Sequence, residues 1–359
     1  MTRLAASAWC LCLFAGVAEA HETMRIAMGP EVAAVEVSAQ GLQVGEDDDE
    51  GGRFEALGER ATVTLVDGHL AVDGKPLPRE ALRFRATTPG SLTALGTRVH
   101  GDVVVLPGRA KLVAVNVLPL EEYLVGVLGS EMPKSFPLEA LKAQAVAART
   151  YALSKKLEQY GQPFHLGSSV ISQVYKGLDV EDARTREAVE ATRGQVLTWM
   201  LQPIEAYFHA SCGGRTESGA DALGRELPYL KPVDCPCGKL PTSHWTLTLP
   251  AKELAAIFKK AGGLEVQGRT STGRVRRVAV GPRSVDAVTF RERVGYMKLK
   301  SLDFEVEKAR DGWRIEGHGF GHGAGLCQWG ARVYAEKGWG YEKILQHYYP
   351  GTELQTLYE

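Results

Sequence analysis

The sequence predicts an α+β fold: a mixed β-sheet core against a buried alanine-rich helix, preceded by a β-rich region. Three observations carry that expectation. Residues 21 to about 110 break into short runs of β-branched or alternating residues. Residues 138–154 are nearly apolar on every face of a helix. From residue 170 onward, strand-like and helix-like runs alternate.

The N-terminus reads as an export signal. Arg3 supplies a positive charge, Leu4 to Val17 an apolar stretch too short to span a bilayer, and Ala18-Glu19-Ala20 a small-x-small cleavage site before His21. A lipid anchor is disfavoured, because Cys10 and Cys12 lie inside the apolar stretch without a lipobox. No later segment offers eighteen apolar residues in a row, so no transmembrane anchor is expected. The formal net charge of −1 argues against a nucleic-acid partner. With 44% hydrophobic residues in 359, the chain can bury a sizeable core in two or more subdomains.

In residues 21–110 the expected strands are Met24–Met28, Ala33–Ser38, Ala61–Val66, Leu82–Ala86 and Asp102–Leu106, with turns at Asp67-Gly68 and Asp73-Gly74. The acidic run Glu46–Glu50 reads as a solvated loop, since its spacing suits no calcium site. No chemistry is assigned to this region. A core from 111 to 355 follows, in which 251–310, rich in Lys and Arg, is expected to be an insertion or subdomain.

That core begins with a strand handing over to a short helix near Glu121 and Glu122, both read as a solvated helix start. The stretch Gly126–Pro137 then places Glu131 among apolar neighbours on a turn punctuated by Pro133 and Pro137. On the helix behind it, plotted at about 100° per residue, Leu138, Leu141, Ala145, Ala148 and Ala152 form one stripe. Lys142 and Arg149 share its edge, and Gln144 and Tyr151 the opposite side. Buried Lys, Arg or Gln needs partners, so this helix must face a polar network or a wet cleft. Taken alone, a carboxylate on a turn is more often a surface charge than an acid.

Further on come Gln173, Tyr175 and Gly177, then His209, Ser211, Gly213-Gly214 and Thr216, then Gly317-His-Gly-Phe-Gly-His-Gly-Ala-Gly325 followed by Cys327-Gln328-Trp329-Gly330. A histidine on a strand edge is more often hydrogen-bonded scaffold than catalyst. Five glycines between 317 and 325 argue for a loop, so His318 and His322 do not make a helical metal pair. Four cysteines remain after the signal: Cys212, Cys235, Cys237 and Cys327. In an oxidising compartment an even count favours disulfides, and a zinc site on the same sulfurs is the rival reading. No His-Glu-x-x-His spacing occurs, so no catalytic metal and no required cofactor are expected.

The run from Glu131-Met-Pro to Glu139-Ala-Leu-Lys-Ala-Gln-Ala-Val-Ala-Ala-Arg-Thr-Tyr151 resembles the signature of the stage II sporulation protein D/LytB family. Asn116, Tyr123, the Gln173–Gly177 and His209–Thr216 groups, and the Gly-His-Gly loop with Gln328-Trp-Gly-Ala331 match it too, so the likeness spans roughly residues 105 to 350. The resemblance implies an exported lytic transglycosylase acting on peptidoglycan strands stripped of stem peptides. Glu131 would be acid and then base. Lys142, Arg149, Tyr175, His209, Thr216, His322 and Gln328 would line the sugar, with His322 opposite Glu131. Ordinary glycosidases use two carboxylates, whereas this reaction needs one. Relatives that carry zinc place ligands just before the Gln-Val-Tyr segment, where this chain has only His165. The family's name also covers enhancers of a cell-wall amidase. A non-catalytic wall binder, with an amidase as partner, is therefore the competing expectation.

Overall fold

The computed structural model describes residues 22–47, 52–167, 175–259 and 262–358. The expected signal peptide, Gln173 and the end of the acidic run lie outside these residues. The fold is α+β, as expected. It is built on a large sheet that begins with strand Thr23–Ala27 and runs through long strands Val35–Glu46 and Glu55–Val66. Pairing in this sheet is antiparallel except where Ile26-Ala27 lies parallel to Leu166-Gly167, which is what makes it mixed. Alternation dictates the register: Val35 and Val37 point inward, as do Ala61 and Val63 on the neighbouring strand. At Asp67-Gly68 the φ angles are 52° and 81°, and at Asp73-Gly74 they are 49° and 77°. Positive φ at both central residues is what two-residue hairpin turns demand.

The sheet does not stop at residue 110. Strand Leu112–Pro119 pairs with Asp102–Pro107 on one side and Thr23–Ala27 on the other, so the N-terminal region and the core behind it share one sheet. They also share one apolar interior. Ile26, Val35, Leu82 and Phe84 belong to the same cluster as Leu124, Leu128, Leu141 and Val146. Residues 245–315 have a second core around Leu249, Phe258, Phe290 and Ile315, under sheets His244–Pro250/Gly312–His318/Asp303–Ala309 and Leu264–Val266/Arg277–Val280/Arg283–Asp286.

Among the described residues there are eight helices: α1 (Leu120–Glu131), α2 (Leu138–Glu158), α3 (Ala183–Glu190), α4 (Gly219–Leu223), α5 (Ala251–Phe258), α6 (Ala287–Val294), α7 (Gln328–Glu336) and α8 (Tyr341–Tyr348). None is long and apolar enough to cross a membrane. Helix α2 is the centre of the core, with fourteen buried residues from Ala140 to Ser154, and it packs on α1, α3, α7 and α8. Helix α1 corrects one expectation. The stretch 126–131 is not a turn but the last turns of this helix, and Glu131 is its final residue. Gly126 and Gly129 do not end the helix, because each marks a close crossing. A Cβ on Gly129 would stand 2.2 Å from the Val180 carbonyl oxygen, and one on Gly126 2.7 Å from the Tyr175 ring. Here tertiary contact overrides glycine's poor helix propensity.

Candidate active site

Glu131 leaves the C-terminal end of α1 just before the chain turns at Met132. It is half-buried, beside Tyr123, whose phenol is held well above its usual pKa by burial and next by the Glu131 charge. From α7, the Gln328 amide donates to Glu131 Oε2 at 3.3 Å and to Gln144 Oε1 at 3.5 Å. Gln144, on α2, is fully buried, and its own Nε2 has no hydrogen-bond partner among the described residues. Next to Gln328, Trp329 meets Phe136 edge-on at 5.1 Å, with the Arg332 guanidinium 5.1 Å and 5.3 Å from the two rings. Three helices thus deliver a carboxylate, two amides and an aromatic–cationic rim to one place. Such a set can donate a proton to a ligand oxygen and hydrogen-bond a polar sugar.

The rival carboxylates are engaged elsewhere. Glu121 is not solvated, as the sequence suggested, but pairs with the fully buried Arg149 at 2.6 Å and 2.9 Å. Burial pushes its pKa up, but the Arg149 hydrogen bond and charge, with the Tyr358 hydroxyl and a Gly194 backbone contact, hold it below the usual value. Glu122 pairs with Arg186 at 3.1 Å. Glu217 is 1% exposed and accepts from the Thr270 and Thr272 hydroxyls and the Ser218 amide.

Of the residues expected to line the sugar, the structure brings Gln328 to Glu131 and sends most others into the interior. Arg149 has no exposed surface, and Thr192, Val189 and Gln195 take its remaining donors. Tyr175 donates to Asn116 Oδ1 at 3.1 Å from a buried position. Thr216 is clamped to Val233 and Lys231. Lys142 stays near the surface, paired with Glu139 at 2.8 Å. His209 is 4% exposed and held by the Ala324 carbonyl at 3.0 Å. His322 is held through both ring nitrogens. Its Nε2 meets the Phe208 carbonyl at 2.9 Å, its Nδ1 accepts from Ala324 N–H, and its ring packs on Tyr207 and His209. The cavity it borders is lined by Glu217, Thr270 and Arg274. The reason is local. Phe208-His209 runs parallel to Leu326-Cys327, and Gly325, at φ 69°, lies so close to the Tyr207 carbonyl that a Cβ would be 2.0 Å from it. The glycine loop folds back on that strand, and its exit, Gln328, reaches the carboxylate. Gln144 was the residue the sequence left without a role. Its signal was a neutral polar side chain in an alanine-rich buried helix.

A family model described as stage II sporulation protein matches residues 108–199, which hold α1, α2 and Glu131. Stage II sporulation protein D of Bacillus subtilis is 34% identical over 266 residues, covering 67% of this chain and 76% of that one. The chain belongs to the stage II sporulation protein D family. Another relative within reach of this family member is an uncharacterised protein of Brachyspira hyodysenteriae, 32% identical over 305 residues and 82% of each chain. The amidase enhancer of Bacillus subtilis is 31% identical over 292 residues, 65% of this chain and 40% of that protein.

Proposed function

We propose that the protein is an exported lytic transglycosylase that cleaves the bond between N-acetylmuramic acid and N-acetylglucosamine in peptidoglycan strands, with Glu131 as acid and then base. The observation that carries the reading is the contact of Gln328 with Glu131. It joins the half-buried Glu131 to the Gln328 amide, itself linked to Gln144, whereas Glu121 and Glu122 pair with arginines and Glu217 accepts from threonine hydroxyls. Glu131 gives its proton to the bridging oxygen as the C1–O bond breaks. The carboxylate then takes the proton of the muramoyl C6 hydroxyl, whose oxygen bonds to C1. The products are a 1,6-anhydro end and a free sugar hydroxyl, with Glu131 protonated again and no water consumed. A second carboxylate, required to activate water or to form a glycosyl intermediate, has no part in this scheme. The N-terminal signal reading places the reaction outside the cytoplasm. The relative named amidase enhancer supports a second reading, a wall-binding protein that assists an amidase.

The test is incubation of the mature protein with stem-stripped glycan strands, followed by mass spectrometry for 1,6-anhydromuramoyl ends. Glu131→Gln is expected to lower their rate of formation by about 10²-fold or more while leaving the circular dichroism spectrum intact. A wild type that binds wall and yields no such ends leaves the enhancer reading in place. A fully active Glu131→Gln moves the acid elsewhere.

A further inference from the structure

The sequence reading favours disulfides for Cys212, Cys235, Cys237 and Cys327; the side-chain geometry points another way. All four cysteines are free and buried, and their sulfurs lie within 4.8 Å of one another, with Cys212 and Cys237 at 3.3 Å. Sulfurs on a single tetrahedral zinc, at about 2.3 Å from the metal, stand roughly 3.8 Å apart. The observed spacing brackets that figure. Two separate disulfides would require two close pairs and no convergence of all four.

Hydrogen-bonding groups reach the sulfurs. Backbone N–H groups of Cys212 and Gly330 each donate to Cys327 Sγ at 3.3 Å, and the Tyr348 hydroxyl lies 3.2 Å from Cys235 Sγ. Hydrogen bonds to coordinating sulfur are the usual outer support of a metal–thiolate site. Gly330 makes the space, since a Cβ there would stand 2.3 Å from Cys235 Sγ and 2.0 Å from the Tyr348 oxygen. The cluster also has a structural task. It joins the chain after strand Phe208-His209, the segment around Pro236, and the residue that caps α7. Of the stretch where zinc-bearing relatives would place ligands, the described part supplies only His165, which accepts from Arg25 N–H, so the cysteine cluster is a different site.

We infer that Cys212, Cys235, Cys237 and Cys327 bind one structural zinc ion as four thiolates, clamping the start of α7 and with it Gln328. Zinc is assigned because the four sulfurs enclose room for a single ion, and a closed tetrahedral set of four cysteines is its structural coordination. Binding displaces the four thiol protons to solvent. The inference is independent of the reaction proposed for Glu131.

The experiment is metal analysis of the full mature chain purified without chelator, with its intact mass measured denatured and unreduced. The expected result is about one zinc per chain, four cysteines present as thiols, and release of the zinc when a mercurial titrates them. Cys237→Ser is expected to lose the zinc. Because that variant can misfold, cobalt(II) is also exchanged into the wild type, where strong visible absorption of a tetrahedral thiolate complex is expected. A metal-free chain four hydrogens lighter, carrying two disulfides, overturns the inference. So do a metal other than zinc, zinc retained in full by a folded Cys237→Ser, or a cobalt spectrum without thiolate bands.

Discussion

Arg149 shows how residue type and residue role come apart. The sequence offers a cation on an apolar helix, and either a sugar or a carboxylate would satisfy it. The structure supplies Glu121, in a two-pronged contact with both partners largely out of water. Removing one member of such a pair leaves a buried charge alone, at a cost of about 3–5 kcal/mol. Arg149→Ala is therefore expected to lower the unfolding free energy by that much, read from urea melts. Lys142→Ala, at the surface beside Glu139, should cost less than about 1 kcal/mol. If both variants melt like the wild type and only wall binding suffers, Arg149 is a ligand-binding residue after all. The motifs single out Glu131 and Gln328, and the fold brings the two into contact. The motifs also single out Tyr175, His209, Thr216 and His322, but a motif names a residue without saying which way its side chain faces, and the contacts of these four come from the fold. The cysteines make a related point: their number is in the sequence, and their convergence is visible only in the fold.

At the scale of elements, the strands were readable from alternation and the hairpins from Asp-Gly pairs, since both signals are local. The end of α1 was not. Two glycines and a following proline resemble a turn, and what keeps the helix going lies fifty residues away at Tyr175 and Val180. That argument makes a prediction against propensity. In an exposed helix, Gly129→Ala would stabilise by about 1 kcal/mol. Here the added methyl meets a backbone oxygen at 2.2 Å, and neither backbone yields easily. Gly129→Ala is expected to destabilise by about 1–3 kcal/mol. It should also slow any reaction of Glu131, two residues on, by displacing the end of the helix. A raised melting temperature in this variant would mean that the crossing of α1 over the 175–180 segment is looser than described.

For the whole molecule, the response to acid follows from where its histidines sit. Burial is the first cause that lowers the pKa of His165 and of His322, each to about 4, and of His209 well below its ordinary value. His100 goes the other way. Its hydrogen bond to Glu181 raises its pKa against the effect of burial, helped by the Glu122 charge. An unfolded histidine binds its proton near pH 6.5, whereas a buried neutral one does not until about pH 4. The depressed group thus contributes stability in full above pH 6.5 and loses it as pH falls toward 4. The raised group contributes in full below pH 6.5 and loses its share as pH rises through its folded value. Three groups act in the first sense and one in the second, so stability should fall between pH 6.5 and 4. His322 alone accounts for about 2–3 kcal/mol of that loss at about 1.4 kcal/mol per pKa unit. The carboxylates whose pKa is lowered, Glu121 and Glu205 among them, add to the loss mainly below this window. Acid also strips metal from thiolates, so the decisive measurement is a difference. Urea unfolding of wild type and His322→Gln at pH 7.5 and pH 4.5 should show a smaller drop in the variant, whatever its stability at neutral pH. Equal drops in the two proteins would mean that His322 is protonated inside the fold. Its contacts with the Phe208 carbonyl and the Ala324 amide could not then both persist, because a doubly protonated ring has no acceptor for Ala324.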